Sequence, residues 1–472
     1  MFAADWQQEF NLLEASSEHY LVNALEALSQ LNPQVLENKQ QVKVFVTQLI
    51  VAIDQTLSQQ LSEIIAQPEF VELEALWRNL HSLVTLNTSV SKVKIKLLDR
   101  TWAEVARDLN ASISIERTLL YNMIGNRQLN TLGGEPFGLF VVNHAISMEM
   151  KYDDEFDDLY TLELLARLGE LCLCPFTLSI SDGFFGHTGV SWLTDTGRIQ
   201  KIIDGPDFNG WRRLRQHPAM KFIALTMPKV KLRPRYAQRR IGFIFDENKN
   251  AEQGLWGSSA FAFAGTAMAE FSRLSWFGFM KSRWKDKYQG ALINTKPGIN
   301  ADFVHRQPQP DIHFTSAHAR FYMAQGLIAI TRSSMTDKYY FLGNTSLWLP
   351  DQGKEDSVGS QIQAVLMTCR FAHYLKVQIR NMIGGFQTAM ECQTYLSHWI
   401  DEYSSNLVDA DEHTLSKYPL RRGTVKVREL EDNGTARFVC ELTIEPQYQS
   451  DHFCGEIMLS TDLGVSKREE RR

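Results

Sequence analysis

Between Asp153 and Asp158 the chain carries five acids: Asp153, Asp154, Glu155, Asp157 and Asp158. Carboxylates this close together could hold a cation or share general acid and base work. They also sit just ahead of a leucine-rich helical pattern, where negative charge suits the positive end of the helix dipole. That role needs only the helix and is the expected one. His313 and His318 are five residues apart, which does not place them on one helical face, and H-E-x-x-H is absent. Cys172 and Cys174 form C-x-C with no second pair nearby, so they read as core thiols rather than half of a zinc site. Ser258-Ser259 precedes an apolar run without the G-x-S-x-G frame of a nucleophile elbow, and has the position of a helix cap. No phosphate-binding fingerprint occurs, and Gly133-Gly134 reads as a turn. No catalytic, cofactor-binding or metal residue is expected.

Two cationic groups remain. Lys229, Lys231, Arg233, Arg235, Arg239 and Arg240 make a basic loop. Tyr236 is its one aromatic, unlike the stacked aromatics of a single-strand binder, so it is either solvated or faces an acidic protein surface. Arg370, His373, Lys376 and Arg380 edge an otherwise apolar helix. Charges there must pair internally or reach a neighbouring subunit.

That helix opens the stretch from Gln361 to Tyr403. Ile362, Val365, Leu366, Cys369, Ala372, Leu375, Ile379 and Ile383 fall at three- and four-residue steps, with Phe371, Tyr374 and Met382 on the flank. A helix so apolar must be buried. Gly384-Gly385 interrupts it, and Ala389, Cys392, Leu396, Trp399, Ile400 and Tyr403 stripe a second helix. Strands follow. Val425 and Val427 alternate with Lys426 and Arg428, Asn433-Gly434 marks a hairpin turn, and Phe438, Cys440 and Leu442 alternate on the return. A third run, Phe453 to Ser460, carries Ile457 and Leu459. Open strand edges invite pairing with another chain. The residues expected at assembly contacts are therefore Arg370, His373, Lys376, Arg380, Val425, Val427, Phe438, Leu442, Ile457 and Leu459.

Upstream, residues 1–66 read as a helical arm. Next come a helix with Phe70, Leu73, Leu76, Trp77, Leu80, Leu83 and Val84, a strand VKIKLLD, and a helix capped by Thr101 and Glu104. Strands at Leu139 to Val142 and Cys174 to Ile180 flank a helix lined by Leu162, Leu165, Leu168 and Leu171. Gly183 to Asp207 reads as loop, Gly254 to Gly278 as a helix rich in small residues, and Ala324 to Ser333 as a strand. The expected fold is α/β: a mixed sheet with flanking helices, a helical arm at 1–66, a body at 67–360 with an irregular excursion near 290–351, and buried helices with C-terminal strands at 361–472 that pair with neighbouring subunits.

The 472 residues suffice for two or three domains, and 44% hydrophobic with 22% charged is an ordinary folded composition. A net charge of -6 argues against a nucleic-acid binder. No apolar run is long enough to span a membrane, and the first residues have no secretory or transit pattern. Six scattered cysteines read as free thiols in a reducing cytoplasm.

LWRNLHSLV, VKIKLLD, LGGEPFG, LWGSSAFAFA, RFAHYLKVQIRNMIG and YPLRRGTVKV occur in this order from about residue 66 onward. Together they resemble the large subunit of the type VI secretion contractile sheath, the TssC or VipB family. The resemblance is weakest over Gly290 to Asp351. It implies a structural protein of the bacterial cytoplasm, without enzymatic activity or cofactor. Family members pair with the small subunit TssB (VipA) and polymerise around an inner tube of Hcp, on a baseplate. Contraction drives effectors into a neighbouring cell, and C-terminal strands are exchanged between protomers. The ATPase ClpV disassembles the contracted sheath through an N-terminal helix. The resemblance includes neither nucleic acid binding nor membrane insertion. Two alternatives stay open: a sheath subunit of a related phage tail-like particle, and a soluble enzyme using the acids at 153–158 or the Ser258 region.

Overall fold

The computed structural model describes residues 23, 26, 30, 38–86, 88–89, 91–131, 133–149, 155–241, 243–247, 254–277, 309–332, 339–350, 360–381, 389–405, 417–432, 435–447 and 457–466. In chain order the principal helices are α1 (Lys39–Ile65), α2 (Pro68–Val84), α3 (Trp102–Ala111), α4 (Asp158–Cys172), α5 (Thr196–Ile203), α6 (Asn209–Gln216), α7 (Ser259–Leu274), α8 (Ser316–Ala324), α9 (Ile362–Asn381) and α10 (Ala389–Asp401). The strands are β1 (Phe140–Ile146), β2 (Phe176–Ile180), β3 (Ile223–Met227), β4 (Val230–Arg233), β5 (Ala237–Ile241), β6 (Phe243–Asp246), β7 (Leu255–Gly257), β8 (Leu327–Arg332), β9 (Tyr339–Phe341), β10 (Leu420–Asp432), β11 (Thr435–Pro446) and β12 (Ile457–Ser466).

The chain divides into two compact units, Met1–Leu73 with Pro234–Gly254, and Glu74–Arg233 with Leu255–Arg472. In the first, Asn38 caps α1 by accepting from the Gln40 N–H. β5 and β6 form an antiparallel hairpin. The Ser58 hydroxyl donates to the Ile244 carbonyl at 3.0 Å, joining α1 to β6. Of the expected arm at 1–66, most residues before Asn38 lie outside the described residues.

The second unit is built on a five-stranded sheet in the order β1-β2-β3-β8-β9. Its first four strands are parallel and β9 is antiparallel to β8. β2 and β3 are buried along their whole length, as expected of central parallel strands covered on both faces. Alternation then divides the core. Leu225, Leu327 and Ala329 face a cluster with Leu162, Leu165 and Leu168 of α4, Trp211 of α6 and Tyr322 of α8. Ala224, Ile328 and Ile330 face the opposite cluster, with Phe263, Ala267 and Phe271 of α7 and Ile362 and Leu366 of α9. The small residues of α7 allow its close approach; a Cβ on Gly265 would meet Leu86 at 3.2 Å. The expected capping box at Thr101 and Glu104 is formed, and Ser258 caps α7 by accepting from the Ala260 N–H.

Four expectations need correction. VKIKLLD is extended but joins no described strand; Lys94 and Lys96 instead pair with Glu135. Leu171 is exposed, because the buried face of α4 has rotated past it by its last turn. Gly183 to Asp207 contains α5, started by Asp195 accepting from the Arg198 N–H. The segment from Gly254 begins with β7, paired to β4, before Ser258 starts the helix.

Candidate assembly site

α9 is where three cores meet. Ile362 and Leu366 enter the cluster under the five-stranded sheet. Val365, Cys369 and Ala372 pack with Leu129, Leu173 and Phe222. Ala364, Met367, Phe371 and Leu375 pack with Cys392, Leu396 and Ile400 of α10 and with Leu420, Val425, Val427, Cys440, Leu442 and Ile444 of β10 and β11. Burial all around the helix thus has a specific cause: its faces are divided between the α/β body and the C-terminal sheet. Leu173 closes α4 in the left-handed region at φ 54, an uncommon place for leucine, and its side chain is held in the α9 cluster.

The C-terminal sheet runs β10-β11-β12, antiparallel throughout. β11 is central, and among the described residues β12 has no second strand partner. On its other side β10 carries an isolated bridge, Ser404 to Leu420, and the Val427 N–H donates to the Gln393 side chain of α10 at 3.1 Å. β10 is 13 residues long and β12 is 10, and among the described residues no further strand pairs along either outer side of the sheet. The third strand lies a few residues later than the run Phe453 to Ser460.

The expected assembly residues fall into three groups. Val425, Val427 and Leu442 are buried under α9 and α10, so they root the sheet. Phe438, Ile457 and Leu459 take their places in β11 and β12, with Leu442 opposite Leu459 and Ile444 opposite Ile457; the side chains of these three lie outside the described residues. Three of the four α9 side chains Arg370, His373, Lys376 and Arg380 are described. Arg370 has no carboxylate partner among the described residues; its guanidinium lies over the rings of Phe271 at 4.3 Å, Tyr374 at 4.8 Å and Trp276 at 5.6 Å, and donates to the Tyr374 hydroxyl. Burial lowers its pKa. The His373 ring is pushed down to about 4, first by burial and then by Lys376 and Arg370, with hydrogen bonds to the Leu173 and Cys172 backbone opposing the shift. Lys376 reaches the Asn130 side chain at 3.3 Å. The side chain of Arg380 and Gly384-Gly385 lie outside the described residues.

Sequence reasoning missed the aromatic nest around this helix. Trp276 stacks on Phe371 with centroids 4.7 Å apart, and Tyr403 and Trp399 close on the same ring at 5.7 Å and 6.4 Å. Residues this far apart in the chain leave no periodic signal; only the density of aromatics after α7 hinted at it.

The other candidates serve the fold. Asp157 caps α4 by accepting from Leu159 and Tyr160 N–H groups. Asp158 accepts from the Trp102 indole at 2.7 Å and the Ser147 N–H at 2.9 Å, and lies 3.1 Å from His144 Nε2. Burial pushes its carboxyl up, but His144 and these donors reverse the shift and leave it below the usual carboxylate range. Glu155 pairs with Arg107; Asp153 and Asp154 lie outside the described residues. The basic loop is largely consumed internally. Lys229 pairs with Asp182, Arg233 with Glu74 and Arg235 with Asp246, and Lys231 sits over Trp256. Cys172, Cys174, Cys369, Cys392 and Cys440 are free and buried, and burial raises the pKa of each thiol. No group of metal-ligating side chains occurs among the described residues, and no described helix is long and apolar enough to cross a membrane.

One helix, α9, thus joins the α/β body to the C-terminal sheet. Two tail-sheath family models match in succession: the EvpB/VC_A0108 tail sheath N-terminal domain over residues 47–348 and the EvpB/VC_A0108 tail sheath gpW/gp25-like domain over 351–463. The chain belongs to this family of structural sheath proteins. It is 26% identical over 439 residues to the type VI secretion system sheath protein TssC1 of Pseudomonas aeruginosa, covering 89% of this chain and 86% of that one. Among solved structures it is similar to the sheath tail protein Lin1278 of Listeria innocua, 13% identical with a TM-score of 0.32, over 65% of this chain and 60% of the other. A contracted PVC sheath complex of an extracellular contractile injection system is 11% identical with a TM-score of 0.32, over 58% of each chain. The chain thus spans about 60% of the length of these solved sheath proteins.

Proposed function

We propose that this chain is the large structural subunit of a type VI secretion contractile sheath. The observation that carries the reading is the succession of both tail-sheath models along one chain, with their junction just ahead of α9. The subunit pairs with a small sheath partner of the TssB type and polymerises with itself around an inner tube of Hcp, on a baseplate, in the bacterial cytoplasm. A ClpV-type ATPase recycles the contracted sheath through the N-terminal arm. The chain performs no catalysis of its own. The extended sheath is a metastable packing, and contraction moves subunits as rigid bodies into a more stable one. The edges of the C-terminal sheet are the elements best suited to keep moving subunits linked, because a strand added to an open edge is held by a row of backbone hydrogen bonds.

Co-expression with the small partner tests the reading directly. Tubes in negative-stain micrographs are expected from the pair and not from the chain alone. A pair that stays a small soluble complex under every condition overturns the proposal. Deleting residues 453–472 removes β12 and is expected to abolish tubes while sparing the small-subunit complex; normal tubes from that variant would remove β12 from the linking role.

A further inference from the structure

The extended segment Val93 to Asp99 runs beside β1. Lys94 and Lys96 pair with Glu135, Lys96 lies over the Phe137 ring at 5.4 Å, and Trp102 stacks on His144 with centroids 4.3 Å apart. These contacts join residues 39 to 42 positions apart in the chain. Two stretches that keep nearly one offset from first contact to last advance together, in the same direction. β2 occupies one side of β1, and among the described residues no strand occupies the other. The segment passes round that free side: Val93 packs into the cluster of α7 with Leu139, and Trp102 into the cluster of α4. No backbone hydrogen bond joins it to β1 among the described residues, and Ile95, Leu97 and Leu98 stay exposed, Leu97 to 69%.

We infer that this segment closes on β1 as a sixth, parallel strand and seals the outer edge of the body sheet. Topology selects it as the occupant. β1 passes to β2 through α4, and the segment passes to β1 through α3, whose Val105 and Leu109 pack in the same cluster as Leu162 and Leu165 of α4. Both helices lie on one face and both steps go the same way along the sheet. The new crossover therefore has the hand of the existing one, and such crossovers are right-handed almost without exception. An offset of 42, that of Trp102 and His144, sets Leu97 beside Leu139 on the face of α7, where Val141 also packs. Ile95 and Leu97 alternate to that face, so closure covers the apolar side chains the segment now exposes. An uncovered edge pairs with any strand that reaches it. Sealing β1 leaves strand pairing between subunits to the C-terminal sheet; this consequence rests on the sheath reading above, while the closure itself does not.

Amide hydrogen exchange on the full chain by itself, read by peptide, tests the closure. Peptides over 94–99 and 139–143 are expected to exchange about tenfold or more slower than an unstructured chain. Leu97→Pro and Leu98→Pro each remove one N–H, and donors alternate in direction along a strand, so one of the two removes a hydrogen bond to β1. That variant is expected to speed exchange at 139–143 by about tenfold, with Thr177 to Ser179 of β2 as in wild type. Exchange at 139–143 unmoved by either proline overturns the inference, because an exposed connection without backbone hydrogen bonds accepts proline. The pair Leu97→Cys with Leu139→Cys gives a second reading that needs no proline. Mild oxidation is expected to yield an intrachain disulfide, since neighbouring strands bring Cα atoms to about 5 Å. A disulfide between two chains, or none, overturns the inference. Neither measurement requires tubes, so failure of the chain and its small partner to polymerise counts against the sheath reading alone.

Discussion

Replacing Phe371 by alanine separates the C-terminal sheet from the body if α9 is the joint described above. The ring is fully buried, stacked on Trp276 and flanked by Tyr403 and Trp399. Truncating a buried phenylalanine costs about 3–5 kcal/mol, and the lost aromatic pairing is part of that figure. At about 1.4 kcal/mol per tenfold, local opening of β10 and β11 becomes roughly a hundredfold to a few thousandfold more frequent. Amide hydrogen exchange reads this strand by strand. Val425 to Val427 and Cys440 to Ile444 are expected to lose protection by that factor. Thr177 to Ser179 of β2 and Ala224 to Thr226 of β3 belong to clusters that do not include Phe371 and should change by less than tenfold. Phe371→Leu keeps most of the volume and should fall between wild type and alanine. Unchanged protection in β10 and β11 would refute the joint. An equal loss in both sheets would mean that the unit opens only as a whole.

Three further outcomes follow from the polar clusters. The Arg233 guanidinium grips Glu74 at 2.7 Å and 2.9 Å, with both side chains nearly buried, so Glu74→Ala should cost about 3–5 kcal/mol, while Glu74→Met with Arg233→Met should recover most of it in a double-mutant cycle by denaturant unfolding. His373, held near 4 against an unfolded value near 6.5, contributes stability that is present above the unfolded value and lost as pH falls toward 4; His373→Gln should flatten the melting temperature across that window. Burial, aided by Asp182, raises Asp311 to about 6, so its ionisation destabilises the fold as pH rises from about 4 through 6; Asp311→Asn should melt higher at pH 7.5, by on the order of 1 kcal/mol, with the gain vanishing near pH 4.

The elements that sequence reasoning located well are those whose signal is local. The α9 pattern, the Thr101 and Glu104 capping box, the Ser258 cap and the alternation at Val425 and Val427 each depend on neighbours a few residues away, and each is formed. Errors came where a distant partner decides the outcome. VKIKLLD alternates like a strand, but a strand needs a second one, and among the described residues none pairs with it while Lys94 and Lys96 reach Glu135. Arg370 on an apolar helix was expected to pair internally or reach a neighbouring subunit; its guanidinium lies over Tyr374 of its own helix and over Phe271 and Trp276 from the stretch at α7. The basic loop looked like an electrostatic surface, because nothing in its own stretch announces Asp182 or Glu74.

The relative strength of root and edge bears on how a sheath of such subunits would carry load. A strand added along ten residues exchanges about ten backbone hydrogen bonds, each worth roughly 0.5–1.5 kcal/mol net. Together they match two to four buried large side chains at about 3–5 kcal/mol each. The root holds many more than that: Phe371, Leu375, Leu396, Ile400, Leu420, Leu442 and Ile444 are all fully buried in one cluster. Under axial pull the added strand should therefore release before the sheet leaves its helices. α9 carries that load into the α/β body through Ile362, Leu366 and the residues packed on Leu173. A subunit built this way can change its neighbours' spacing without changing its own fold, which is what rigid-body contraction of a linked polymer requires.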